Sequence, residues 1–253
     1  MGRSAILILP AGLALLLACR GQGIAADQAL AQAPTSAELL AKAKAAYAGL
    51  ASYADQGVQV TTISKWFFRE TTERRFSTAF VRPGRFRFEF REQGRSGAEN
   101  QYVIWQDHAE VKAWWSVTPA VRPEMNLAAA VAGATGVSGG TAYTIPSVLV
   151  KEAAWKGSTW TDPAGTYRIQ DAVEAGRACY RIQRLTSAKA EVLEGHTVPA
   201  TQGKLTYWLA KDDLTLLRLD DESDFGSFYS AAIAKYTPRI NPDLPDSAFV
   251  FGH

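Results

Sequence analysis

Seven consecutive residues, Arg85-Phe86-Arg87-Phe88-Glu89-Phe90-Arg91, alternate charge and phenylalanine without a break. An extended strand puts every second side chain on one face, so this stretch predicts a strand with one apolar and one wet side. Sheets covered on one side only are characteristically antiparallel. The alternation recurs along the chain. Val58, Val60, Thr62, Ser64, Trp66 and Phe68 share one face of a long run from about residue 55. Phe76, Thr78 and Phe80 start the next strand, which ends at Arg82-Pro83-Gly84. YVIWQ (102–106) and EVKAWWSV (110–117) read as a hairpin around Asp107-His108. Strands resume at 165–171, 177–185, 204–210 and 214–220, and a last pair is read at 227–236 and 248–251. About ten strands in one sheet must curl.

Two segments leave this period. Thr35-Ser36-Ala37-Glu38 has the form of a capping box, and behind it Leu39, Leu40, Ala43, Tyr47 and Leu50 recur at helical spacing. An amphipathic helix packed on the sheet is expected there. Residues 126–150 are rich in Ala and Gly, and predict a short helix from Asn126, a glycine loop and a second helical turn after Pro146. No linker composition follows residue 35. The expected architecture is mainly β (α+β): one domain, 36–253, whose single large curved antiparallel sheet forms an incomplete barrel. The N-terminal helix and a short helical insertion close it.

The opening MGRSAILILPAGLALLLAC has one basic residue, Arg3, and an apolar stretch from Ala5 to Ala18. That is shorter than the roughly 20 residues of a membrane-spanning helix, and reads as a secretory signal peptide over 1–18. Leu16-Leu17-Ala18-Cys19 resembles a bacterial lipobox, which makes Cys19 the lipidation candidate. Ordinary cleavage after Ala25, Ala26 or Ala31 is the alternative, and residues 19–35 read as a tether. Acylation at Cys19 would hold the protein on a membrane surface without spanning it. The expectation is an exported protein of the periplasm or outer membrane of a Gram-negative-type bacterium. Cys179 is left without an intramolecular partner and reads as a buried structural thiol.

Chemistry is sparse. The chain has 7 Trp, 9 Tyr and 11 Phe but only 3 His. A net charge of +2 argues against nucleic acid as a partner. Gly136-Val137-Ser138-Gly139-Gly140 matches the nucleophile-elbow spacing, yet a helical rather than a strand pattern precedes Ser138, so a serine hydrolase is only a remote alternative. Asp220-Asp221-Glu222-Ser223-Asp224 fails the calcium-loop frame, because Phe225 falls where Gly is required. The three His lack metal-ligand spacing. Arg69, Glu70, Glu73, Arg74 and Arg75 read as a mixed-charge loop. No catalytic residue, metal or cofactor is expected. Trp66, Phe68, Phe86, Phe88, Phe90, Trp105 and Trp115 are the candidates for lining an apolar ligand cavity, the default role of unfilled apolar concavity.

The order of these pieces resembles the LolA/LolB-type lipoprotein carriers and their bacterial relatives. It rests on the N-terminal helix before long strands, "RPGRFRFEF", "YVIWQDHAEVKAWWS", "TIPSVLV" and "NPDLPDSAFVF", which together span residues 36–251. The resemblance implies an incomplete barrel holding a lipid or a lipoprotein acyl chain, with a lid placed at 126–146. It differs in having Asp107-His108 where a DG turn is usual. The same fold also serves envelope sensors of the RseB type, so an envelope protein partner is the alternative to lipid carriage.

Overall fold

The computed structural model of the chain describes residues 33–94, 97–108, 110–150, 160, 166–193, 196–198 and 200–252. Cys19, the segment read as a signal peptide, the tether up to residue 32 and His253 lie outside the described residues.

Helix α1 (Ser36–Ala48) starts where its capping box predicts. The Glu38 amide donates to Thr35 Oγ1 at 3.2 Å, and the Thr35 amide donates to Glu38 Oε2 at 2.8 Å. Two donors that a helix start would otherwise leave unsatisfied are thereby used. Leu39, Leu40, Ala43 and Tyr47 form its buried stripe. Tyr47 ties the helix down: its ring meets Tyr53 edge-on at 5.5 Å, and its hydroxyl accepts the Leu216 amide at 3.0 Å.

Six strands then form an antiparallel meander: β1 (Ser52–Lys65), β2 (Phe68–Val81), β3 (Arg85–Gln93), β4 (Glu99–Asp107), β5 (Glu110–Trp115) and β6 (Thr118–Pro123). Helices α2 (Leu127–Val137) and α3 (Ile145–Leu149) follow, with a 3-10 turn at Thr141–Tyr143 between them. A second run comprises β7 (Thr166–Glu174), β8 (Arg177–Ala188), the small hairpin β9 (Glu191–Leu193) and β10 (His196–Val198), β11 (Thr201–Ala210), β12 (Leu216–Asp224), β13 (Tyr229–Tyr236) and β14 (Arg239–Ile240). The two runs join in the middle, where β1 pairs with β13 from Gly57↔Tyr236 to Ser64↔Tyr229. The order β6-β5-β4-β3-β2-β1-β13-β12-β11-β8-β7, with β14 also on β1, makes one sheet of twelve strands that ends at β6 and β7 and does not close.

Register assigns the faces. Phe88 lies opposite Thr78 and Ile104, and Phe86 opposite Phe80. This inner face carries Tyr53, Phe76, Phe80, Phe86, Phe88, Phe90, Tyr102 and Ile104, and forms one core with the buried residues of α1, α2 and α3. The period of two in β3 is thus observed as expected. Its other face is less wet than the charges imply, because Glu89 is buried between Arg87 and Arg91, with contacts of 2.6 Å to each. Burial pushes this carboxyl up, but the hydrogen bonds and charges of the two guanidiniums outweigh it and hold it below the ordinary value.

Three readings are corrected. The run from Val58 to Phe68 is not one strand: β1 stops at Lys65, Trp66 and Phe67 make a two-residue turn, and Phe68 opens β2 opposite Lys65. Residues 69–75 are therefore strand rather than loop, with Arg74 held by Glu92 at 2.6 Å. Residues 248–251 are not a strand either. Asp246–Phe249 is a 3-10 turn, and the segment lies across the outer face of β3 to β5, where the Arg87 guanidinium donates to the Val250 carbonyl at 2.9 Å.

Candidate functional site

Helix α2 is built to lie close on the sheet. Asn126 caps it by accepting the Ala129 amide at 2.8 Å, and its buried residues are only Ala130, Val131 and Ala134. Small side chains keep the helix near the sheet but fill little space. Beside its first turn a cleft of about 610 Å³ opens between the cover and the rim of the sheet at the Arg82–Gly84 turn. Phe80, Phe86, Leu127, Ala128, Leu149 and Val150 supply its apolar walls, and Arg82, Arg85, Gln106 and Asn126 its polar ones. The volume is in the ordinary range of a ligand pocket.

The two arginines are held in place. Arg82 donates to the Ala48 and Leu50 carbonyls, both at 2.9 Å, and its guanidinium lies 4.8 Å from the Phe80 ring centre. A cation at the last carbonyls of α1 also suits the helix dipole. Arg85 reaches Asp246 at 2.9 Å and Asp107 at 3.5 Å, and stacks over Phe249 at 4.2 Å. The mouth thus holds two fixed guanidiniums beside the largely buried Phe80 and Phe86 rings; the charge of Arg85 is already met by Asp246 and Asp107, while Arg82 is hydrogen-bonded only to backbone carbonyls among the described residues.

The seven aromatic candidates do not share one place. Phe86, Phe88 and Phe90 are buried together in the inner core, with Trp115 partly buried against it. Of the seven, Phe86 alone lines the cleft. Trp105 pairs with Arg87 and faces the other way, into a small cluster with Val103 and Trp114. There the Phe251 ring stands 5.3 Å from Trp105 and 5.1 Å from Trp114. Trp66 and Phe68 are solvent-exposed at the far tip of the β1–β2 hairpin. Sequence reasoning missed Phe80, Leu127, Ala128, Leu149 and Val150 as lining residues. The Asn126 cap and the "TIPSVLV" segment were the signals that could have found them.

Other chemistry finds structural roles. Ser138 caps the end of α2, fully buried, with its Oγ accepting the Ala142 amide at 3.2 Å. It follows a helix rather than a strand, which is not the setting of a nucleophile elbow. The acidic run 220–224 lies in β12, where Asp220 holds Arg218 at 2.6 Å and Glu222 holds Lys204 at 2.6 Å. Among the described residues no group of His, Cys, Asp and Glu could hold a metal ion. Cys179 is buried, and burial pushes its thiol above the ordinary range, consistent with a structural thiol.

The open antiparallel sheet with helices on one face is the architecture that the resemblance implied. No family model matches it, and no curated protein does. Among solved structures it is similar to a putative outer membrane lipoprotein-sorting protein domain from Vibrio parahaemolyticus, at 10% identity over 83% of this chain and 94% of that one, with a TM-score of 0.35. It is also similar to the LolA superfamily protein from Nitrosomonas europaea, at 9% identity over 87% and 99% of the two chains and a TM-score of 0.30. A third likeness is to the Pseudomonas aeruginosa MucA/MucB complex, at 11% identity and a TM-score of 0.43, where the match covers 85% of this chain and 60% of that one. Among the described residues no helix is long and apolar enough to cross a membrane.

Proposed function

We propose that the chain is an exported, non-catalytic envelope protein that binds an amphiphile with an acyl tail, a lipid or the acylated end of a lipoprotein. The cleft beside α2 carries this reading. Phe80, Phe86, Leu127 and Leu149 offer a tail apolar contact, while Arg82, which has no carboxylate partner among the described residues, stands where a carboxylate or phosphate head would sit. Entry of a tail beyond the cleft would require α2 to move off the inner face, which makes α2 and the glycines after it the lid. The signal-like opening and the Cys19 lipobox support export and a membrane address.

The test is uptake of a fluorescent C16 fatty acid, with native mass spectrometry of the protein after gentle extraction. The parent is expected to bind the probe saturably and to carry lipid. Ala128→Trp, which fills the cleft from a half-buried position, and Leu127→Asp, which makes its wall polar, are each expected to lower affinity at least tenfold, about 1.4 kcal/mol, with binding measured below each variant's own melting point because both side chains pack partly on the core. Absence of uptake by the parent, or equal uptake by both variants, contradicts the reading.

A further inference from the structure

The turn between β1 and β2 is unusual in composition. Two-residue hairpin turns favour Asn, Asp and Gly because they require positive backbone angles. This one is Trp66-Phe67, with Trp66 held at φ 51°, a region that bulky residues avoid. The side chains gain no packing in return: Trp66 is 91% exposed, Phe67 98% and Phe68 52%. A second aromatic turn lies beside it. Register sets Ser64 opposite Tyr229, so the β12–β13 turn adjoins the hairpin tip, and there Phe225 and Phe228 stack with ring centres 4.4 Å apart. Tyr229 and Ile63 add exposed apolar surface at the same end of the sheet. Lys65 and Arg69 flank the tip and are exposed, with the half-buried Glu70 next to Arg69 on β2. The nearby Asp224 is exposed and accepts the Gly226 amide at 2.8 Å.

We propose that this end of the sheet, centred on Trp66-Phe67-Phe68 and the Phe225/Phe228 turn, inserts into the interface of an anionic phospholipid bilayer, with Lys65 and Arg69 meeting the headgroups. Trp and Phe favour the boundary between headgroup and acyl chain, and basic residues beside them add attraction to anionic lipid. Backbone strain spent on exposing a Trp makes sense at a surface that binds something. Lys65 and Arg69, placed directly beside the exposed aromatics, favour an anionic bilayer over an apolar protein surface as the occupant. This proposal stands independently of ligand binding in the cleft.

The experiment is vesicle co-sedimentation of the full chain in a Cys19→Ser background, which removes any acyl anchor from the comparison. Vesicles of phosphatidylethanolamine with phosphatidylglycerol are set against vesicles of phosphatidylcholine alone. The parent is expected to bind the anionic vesicles, and Trp66→Gly/Phe67→Ser to lose at least tenfold in affinity. Its melting point should not fall, since Gly relieves the positive φ and neither side chain is packed. Lys65→Glu/Arg69→Glu is expected to weaken binding to anionic vesicles and to blunt its salt dependence. Fatty-acid uptake, measured in parallel, should be the same in tip variants and parent. A parent that does not sediment with anionic vesicles, or a tip variant that binds them equally well, overturns the proposal.

Discussion

Phe88→Ala is expected to cost about 3–5 kcal/mol of stability, the usual effect of emptying a buried aromatic site. Phe88 has no exposed surface, faces Thr78 and Ile104 across the two neighbouring strands, and belongs to the same core as Ala130, Val131 and Ala134 of α2. Domains of this kind have a total stability of about 5–15 kcal/mol, so the loss is a large part of the whole. Phe88→Asp adds an unpaired buried carboxylate and should not accumulate as folded protein. Urea unfolding of Phe88→Ala decides between packed core and empty pocket. If Phe88 lined a standing cavity, truncation would change ligand affinity and leave the midpoint near that of the parent.

The second large effect concerns Asp55, on the inner face of β1 beneath the cover. It is 3% exposed; Tyr53 donates to its Oδ2 at 2.9 Å, and its Oδ1 has no hydrogen-bond partner. Burial pushes its carboxyl up to about 6 from an ordinary 3.8, partly offset by the polar groups beside it, Thr78 and Tyr53. The folded protein therefore holds this proton more tightly than the unfolded chain. For this group stability is highest below about pH 4 and is lost as pH rises through about 6. The difference amounts to about 3 kcal/mol at neutral pH. Asp55→Asn removes the titration, so the variant should match the parent at pH 4 and exceed it by up to that amount at pH 8. Equal pH profiles of melting for the two proteins would contradict the account of Asp55.

These two sites also show what could be read from the sequence. The alternation around Phe88 was unambiguous because every second residue was charged, and α1 was legible because its cap has a local chemical signature. A strand pattern tells which residues share a face, not which face is covered. Val58 and Val60 share a face by the period of two, yet that face is part-exposed, and the opposite set, with Tyr53, Asp55 and Gln59, is buried. The break at Trp66-Phe67 was invisible because that turn has no Gly, Pro, Asn or Asp to mark it. Trp105 lies in a strand that is apolar on both sides, and what covers its outer side is Phe251, far along the chain. The cleft is also a product of distant pieces: Phe80 and Phe86 flank one turn, while Leu127 and Leu149 come from two helices. No local pattern could have brought them together.

On the proposed function an acyl tail binds beside α2. Photolabelling with a diazirine-bearing fatty acid, followed by peptide mapping, tests it most directly. Saturable label on Leu127, Ala128, Leu149 and Val150, competed by unlabelled fatty acid and lost in Ala128→Trp, is the result predicted. Label that does not saturate, or that falls only on the hairpin tip at Trp66–Phe68, would contradict it.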